Sequence, residues 1–113
     1  MFEHDYCVVM TTITDDLNGK KIIDSLLEKR LAACIQVQEI LSYYHWEDEL
    51  CCDREKLVLI KTKKVLYPEV EADILANHDY ETPEIVQIPI TNGSNGYLSW
   101  IEAECIPKPL QDA

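Results

Sequence analysis

Basic residues are scarce in this chain. Lysine and arginine together number 10 against 21 aspartates and glutamates, a formal charge of -11 at neutral pH. A sustained contact with nucleic-acid phosphates needs a cationic face, so nucleic acid is not an expected partner, whereas cations remain open. Long apolar runs are missing as well. No stretch approaches the roughly 18 apolar residues of a spanning helix, and no membrane partner is expected. The opening MFEHDYC has no basic region followed by an apolar run, so no secretion signal is read there. The cysteines Cys7, Cys34, Cys51, Cys52 and Cys105 never form a C-x-x-C pair. Their odd number, without a secretion signal, points to a reducing, cytoplasmic compartment, where most act as small buried hydrophobes. Also absent are an activated serine or cysteine motif, a phosphate-cradling glycine loop and a nucleotide fingerprint, so the chain is not expected to be an enzyme. Cys34 and His78 are a conceivable thiol–base pair, but the apolar strand around Cys34 suits an inert thiol better.

What the chain does have is apolar residues at 47% over 113 positions, enough for one domain with one core. Its organising stretch runs from Ala33 to Lys64. AACIQVQEILSYYHW and LCCDREKLVLIKTKK flank the polar break Glu47-Asp48-Glu49, which predicts a hairpin. Thirteen residues from Cys34 to Trp46 would extend roughly 43 Å, more than the ~35 Å diameter of a domain of this length. The hairpin must therefore bend or reach past its own domain, and a protruding apolar hairpin implies a covering partner. The apolar parity slips between Val37 and Ile40, which predicts a β-bulge at Gln38-Glu39. The inner half then joins the domain's sheet and the outer half pairs with another subunit. On the return arm both faces are apolar, as in a central strand.

Around the hairpin the reading is regular. Tyr6–Met10 is a continuous apolar strand. Thr14, Asp15 and Asp16 are N-cap candidates for a helix carrying Leu17, Ile22, Ile23, Leu26 and Leu27, ending near Arg30-Leu31 and weakened by Gly19. Tyr67-Pro68-Glu69 opens a second helix that stops near Asn77-His78. Glu84–Ile88 is a short strand, and Pro89 marks an edge or its end. Asn92–Gly96 is a loop, Tyr97–Ile101 begins a terminal helix, and 105–113 is a tail. His4 belongs to the terminus and His45 to the hairpin surface. The fold class is α+β: a ferredoxin-like βαββαβ with an extended hairpin and a short C-terminal helix.

The segments LAAC at Leu31–Cys34, YYHW at Tyr43–Trp46, LIKT at Leu59–Thr62, HDYETPE at His78–Glu84 with IVQIPI after it, and YLSW at Tyr97–Trp100 resemble, in order, the CutA family of divalent-cation tolerance proteins. The resemblance covers about Asp5 to Glu104, within a single domain over 1–113. It implies a ferredoxin-like subunit in a tight homotrimer and a role with copper and other divalent cations. The ligands associated with some members fall on Thr11, Asn77 and His78, and only His78 keeps the family's residue. Threonine lacks the thiolate that suits Cu(I), and asparagine is a poor copper ligand. His78 with Asp79, Glu81 and Glu84 would suit a borderline divalent ion, copper or zinc. A pocket at a subunit boundary is expected from Tyr44, Trp46, Lys61, Tyr80 and Glu84, with a Lys61–Glu84 ion pair as the plainer alternative. The leading expectation is a cytoplasmic homotrimer that binds divalent metal ions and contributes to metal tolerance. The alternatives are a regulatory trimer resembling the PII signalling proteins, with a small ligand between subunits, and a non-catalytic trimeric scaffold.

Overall fold

The computed structural model describes residues 5–106, so the readings of His4 and of 107–113 lie outside it. Strand β1 (Tyr6–Ile13) leads to helix α1 (Asp16–Glu28). Strands β2 (Cys34–Trp46) and β3 (Glu49–Lys63) form the hairpin, and a single 3-10 turn at Lys64–Leu66 feeds helix α2 (Tyr67–Asn77). Strand β4 (Val86–Ile90) and helix α3 (Asn95–Glu104) complete the order. The sheet runs β2-β3-β1-β4, with β3 antiparallel to β2 and β1, and β4 antiparallel to β1. This is the predicted split βαβ topology, and β3 is central as its two apolar faces require.

Alternation across the strands sorts the sheet into two faces. Cys7, Val9, Thr11 and Ile13 of β1 and Val58, Ile60 and Thr62 of β3 are buried, and they pack with Ile22 and Leu26 of α1 and Val70 and Ile74 of α2. The opposite face carries Val8, Met10, Leu57 and Leu59, which are only half-buried, and Val86 and Ile88, which are exposed. One apolar face is therefore filled by α1 and α2, and the other is met by α3 only at its Tyr6–Lys63 end and is otherwise left open within the chain.

The hairpin ladder is continuous from Cys34↔Lys61 to Trp46↔Glu49, with one residue opposite one residue throughout. The β-bulge predicted at Gln38-Glu39 does not exist. The parity slip has another cause. β1 pairs with β3 only from Lys56 to Lys63, so beyond Glu39 the hairpin has left both the third strand and the helix layer. No core selects one face there, and apolar side chains occupy both: Leu41 and Tyr43 on one side, Tyr44 and Trp46 on the other. The hairpin does not bend back but projects, stretching the subunit to 53 × 26 × 20 Å with a radius of gyration of 15.3 Å. That exceeds the ~13 Å of a compact domain of this length.

Local chemistry sets the element ends. Asp15 caps α1 by accepting the Leu17 amide at 3.2 Å. Gly19 is buried where α1 crosses the end of β1, and a Cβ there would lie 2.1 Å from Cδ1 of Ile13. The helix tolerates this residue because the crossing demands it. α1 ends at Glu28, slightly before the expected stop, and Arg30 turns the chain with a positive φ of 57°. β4 runs two residues later than predicted and contains Pro89, which an edge strand accommodates. α3 starts at Asn95, inside the expected loop, because Ser94 caps it through the Tyr97 amide. Cys105 is buried and the Ile106 amide donates to the Arg30 carbonyl at 2.9 Å, so the packed chain continues past the expected start of the tail.

Candidate functional site

On the open side of the sheet, where β1 ends and the hairpin departs, a cavity of about 610 Å³ opens to solvent. Its wall holds Tyr44 and Trp46 from β2, Asp53 and Glu55 from β3, and Tyr80 and Glu84 from the loop between α2 and β4. Thr12, Thr14, Ser42, Tyr43, Glu81 and Thr82 fill the gaps. Four of the five expected cleft residues thus converge. The fifth, Lys61, does not. It lies on β3 six positions from Glu55, roughly 20 Å along a strand, with its Nζ 5.3 Å from the centre of the Tyr97 ring. The structure shows no Lys61–Glu84 ion pair among the described residues.

The hairpin register builds the sheet side of the cleft. Ser42 faces Asp53, and Tyr44 stands two residues further along the same face, a diagonal neighbour of Asp53. Its hydroxyl donates to the Asp53 carboxylate. Across the cleft the Tyr80 hydroxyl donates to Glu55 at 2.6 Å and accepts from Thr14. Burial, then the carboxylate of Glu55, pushes the Tyr80 phenol up to about 12. For Tyr44, hydrogen bonding to Asp53 is the leading cause of a rise to about 12. Both phenols therefore remain neutral donors at any physiological pH, and both carboxylates are held in place.

His78 anchors the loop rather than lining the cleft. Its ring is fully buried. Nε2 lies 2.8 Å from the Thr12 carbonyl, and Nδ1 accepts the Tyr80 amide at 3.1 Å. This pairing assigns the proton to Nε2 and leaves neither nitrogen free. The Tyr80 ring lies 4.5 Å from the imidazole, so the anchor also sets the tyrosine's direction. The two other positions carried over from the resemblance are no better disposed to a metal. Thr11 Oγ1 is buried without a hydrogen-bond partner among the described residues, and Asn77 Nδ2 donates to the Asp73 carbonyl at 2.8 Å. A buried neutral hydroxyl, an engaged amide and an engaged imidazole do not fit a copper centre. Among the described residues no three His, Cys, Asp or Glu side chains are grouped to hold a metal ion. Asp79 is exposed, 3.8 Å from His78 Nδ1. Cys34 sits opposite Lys61, whereas His78 is bonded near the Leu57 level of β3, so the thiol–base pair is not assembled.

Sequence reasoning missed Asp53 and Glu55. The signal was present: a two-residue turn at Glu47-Asp48 fixes every pair in the ladder, and counting back from it places Asp53 beside Tyr44. Thr12 and Thr14 had no such signal, because their place depends on the packing of β1 against the loop.

Known proteins agree with this architecture. The family model described as CutA1 divalent ion tolerance protein matches residues 7–104. The chain is 40% identical over 96 residues to "Protein CutA, chloroplastic" of Arabidopsis thaliana, covering 84% of this chain and 53% of that protein. It is 38% identical over 95 residues to the divalent-cation tolerance protein CutA of Thermus thermophilus, covering 83% and 92%. The chain thus spans about half the length of the plant relatives it matches. The crystal structure of CutA1 from Oryza sativa superposes with a TM-score of 0.87 at 32% identity, covering 93% of this chain and 97% of that one.

Proposed function

This chain belongs to the CutA1 family of divalent ion tolerance proteins, and from that membership we propose that it is a non-catalytic cytoplasmic homotrimer which binds divalent cations in the cleft beneath the hairpin. The observation that carries the site is the sign of its charges. Asp53, Glu55, Glu81 and Glu84 line the cavity, and among the described residues no lysine, arginine or histidine does. Such a wall attracts cations and repels anions. Oxygen donors of this kind suit zinc or copper(II) entering with part of its water shell better than copper(I), which prefers sulfur.

Trimerisation is supported by Val86 and Ile88, exposed on the sheet face opposite α1 and α2, and by Leu41, Tyr43 and Leu50, exposed at 54%, 74% and 79% on the projecting hairpin. Apolar surface of this extent on a protein domain is normally an interaction site. Cytoplasmic location is supported by five free cysteines. A second reading, a regulatory trimer with a small ligand between subunits, is favoured by the aromatic walls and by a volume within the range of small-molecule sites, roughly 300–1,000 Å³.

Calorimetric titration with zinc, copper and cobalt tests the leading reading, alongside sedimentation of the same sample. Saturable binding that weakens in Glu84→Gln, in a species of three chains, is the expected result. Binding unaffected by Glu84→Gln moves the cation elsewhere, and a monomer at micromolar concentration removes the trimer.

A further inference from the structure

We propose that the cation best fitted to the cleft is organic, a linear aliphatic polyamine, and this rests on the reading of the cleft as a cation site. A cavity of about 610 Å³ is far larger than a metal ion needs, since a water molecule occupies only about 30 Å³. Its carboxylates are spread rather than gathered. Asp53 and Glu55 alternate on one face of β3, roughly 6.6 Å apart along the strand, and Glu81 and Glu84 stand on the facing loop. No three of them are grouped around one point. A single divalent ion would leave half of these four charges uncompensated. A chain of ammonium groups separated by short methylene spacers meets it at several points. The spacers need apolar contact, and Tyr44, Trp46 and Tyr80 supply it around the same cavity. Aromatic faces attract alkylammonium groups as well as methylenes. The tyrosine hydroxyls contribute in a second way. By donating to Asp53 and Glu55 they orient those carboxylates while leaving lone pairs for a further donor.

The test is calorimetric titration of the full chain with spermidine, in the presence of a metal chelator. We expect saturable binding, weakened at least tenfold in Asp53→Asn and in Glu84→Gln and also weakened in Trp46→Ala. Glu28→Gln and Glu69→Gln remove the same charge from exposed positions on α1 and α2, and they are expected to change the affinity less than twofold. No saturable binding, an equal loss in the helix variants, or unchanged affinity in Trp46→Ala overturns the proposal. Zinc binding that depends on Glu84, with no spermidine binding, overturns the polyamine but leaves the divalent-cation reading standing. Spermidine binding without zinc binding supports the polyamine and overturns the divalent part. If neither ligand binds, both readings fall.

Discussion

The Nε2 of His78 lies 2.8 Å from the carbonyl oxygen of Thr12, and this one bond ties the loop that carries Tyr80, Glu81 and Glu84 to the end of β1. Because the ring also accepts the Tyr80 amide, replacing His78 by alanine orphans two backbone groups at once. His78→Ala should cost about 1–3 kcal/mol, the usual penalty for buried polar groups left unpaired. Urea denaturation measures it. A loss below a few tenths of a kcal/mol would mean that the loop holds itself without the ring.

Raised tyrosine acidities give a pH prediction. Tyr44 and Tyr80 are pushed to about 12 from the ordinary 10, and Tyr6 rises to about 12 through burial and its hydrogen bond to Glu102. A group whose pKa is raised on folding contributes stability that is complete below the unfolded value and lost as pH climbs through the folded one. The window is therefore about pH 10–12. Ultraviolet titration of the six tyrosines should show an upper phase near pH 12, and Tyr80→Phe should remove one phenol from it. A single transition at pH 10 would contradict the cleft's hydrogen bonds.

Glu47 and Asp48 both hold positive φ, 50° and 65°, at the hairpin tip. That is the two-residue geometry in which asparagine followed by glycine is preferred. Replacing the pair by Asn-Gly should raise the stability of the hairpin by about 1 kcal/mol. Thermal unfolding monitors the change, and a lowered midpoint would show that the acidic tip has a stabilising partner.

Asp73 is buried between the two long helices, where Oδ1 accepts from Ser25 at 3.1 Å and from Lys29 at 2.6 Å. Lys29 is 59% exposed and can return to water, but Ser25 cannot do so as freely. Asp73→Ala should therefore destabilise by about 1–3 kcal/mol, while Lys29→Ala costs under about 1 kcal/mol. Equal losses in the two variants would place the stability in the charge pair itself.

Leu59 projects from the open face of the sheet, so a lone chain can carry lysine there with its ammonium in water. An assembly built on that face cannot. Leu59→Lys should keep the circular dichroism of the parent and sediment as a smaller species. Unchanged sedimentation would move the interface off this face.

Element order was legible because hydrophobic periodicity, the Asp15 cap and the proline of α2 all act locally. The length of the hairpin was legible for the same reason, and arithmetic said that it had to bend or protrude; the absence of a bulge decides for protrusion. The bulge was misread because parity reports which face is covered, and beyond Glu39 nothing in this chain covers either face. Lys61 was assigned to the cleft together with Glu84, whereas its position on β3 is set by register. His78 was singled out in the sequence as a candidate metal ligand. Its imidazole, however, gives no sequence signal that distinguishes a ligand from an anchor, because the Thr12 carbonyl that occupies it is 66 residues away.

The uninterrupted ladder of β2 and β3 divides into two zones with different exchange behaviour. From Cys34 to Glu39 the β2 amides pair with the part of β3 that β1 backs on its other side, and they open only when the domain unfolds. From Ile40 to Trp46 the pairs are held by the hairpin alone, so in an isolated chain they open by fraying. Deuterium uptake along this single strand should therefore step upward at Ile40. In the trimer proposed above, neighbouring chains would cover the outer zone, so the step would shrink with protein concentration and its height would read out the population of free subunits residue by residue.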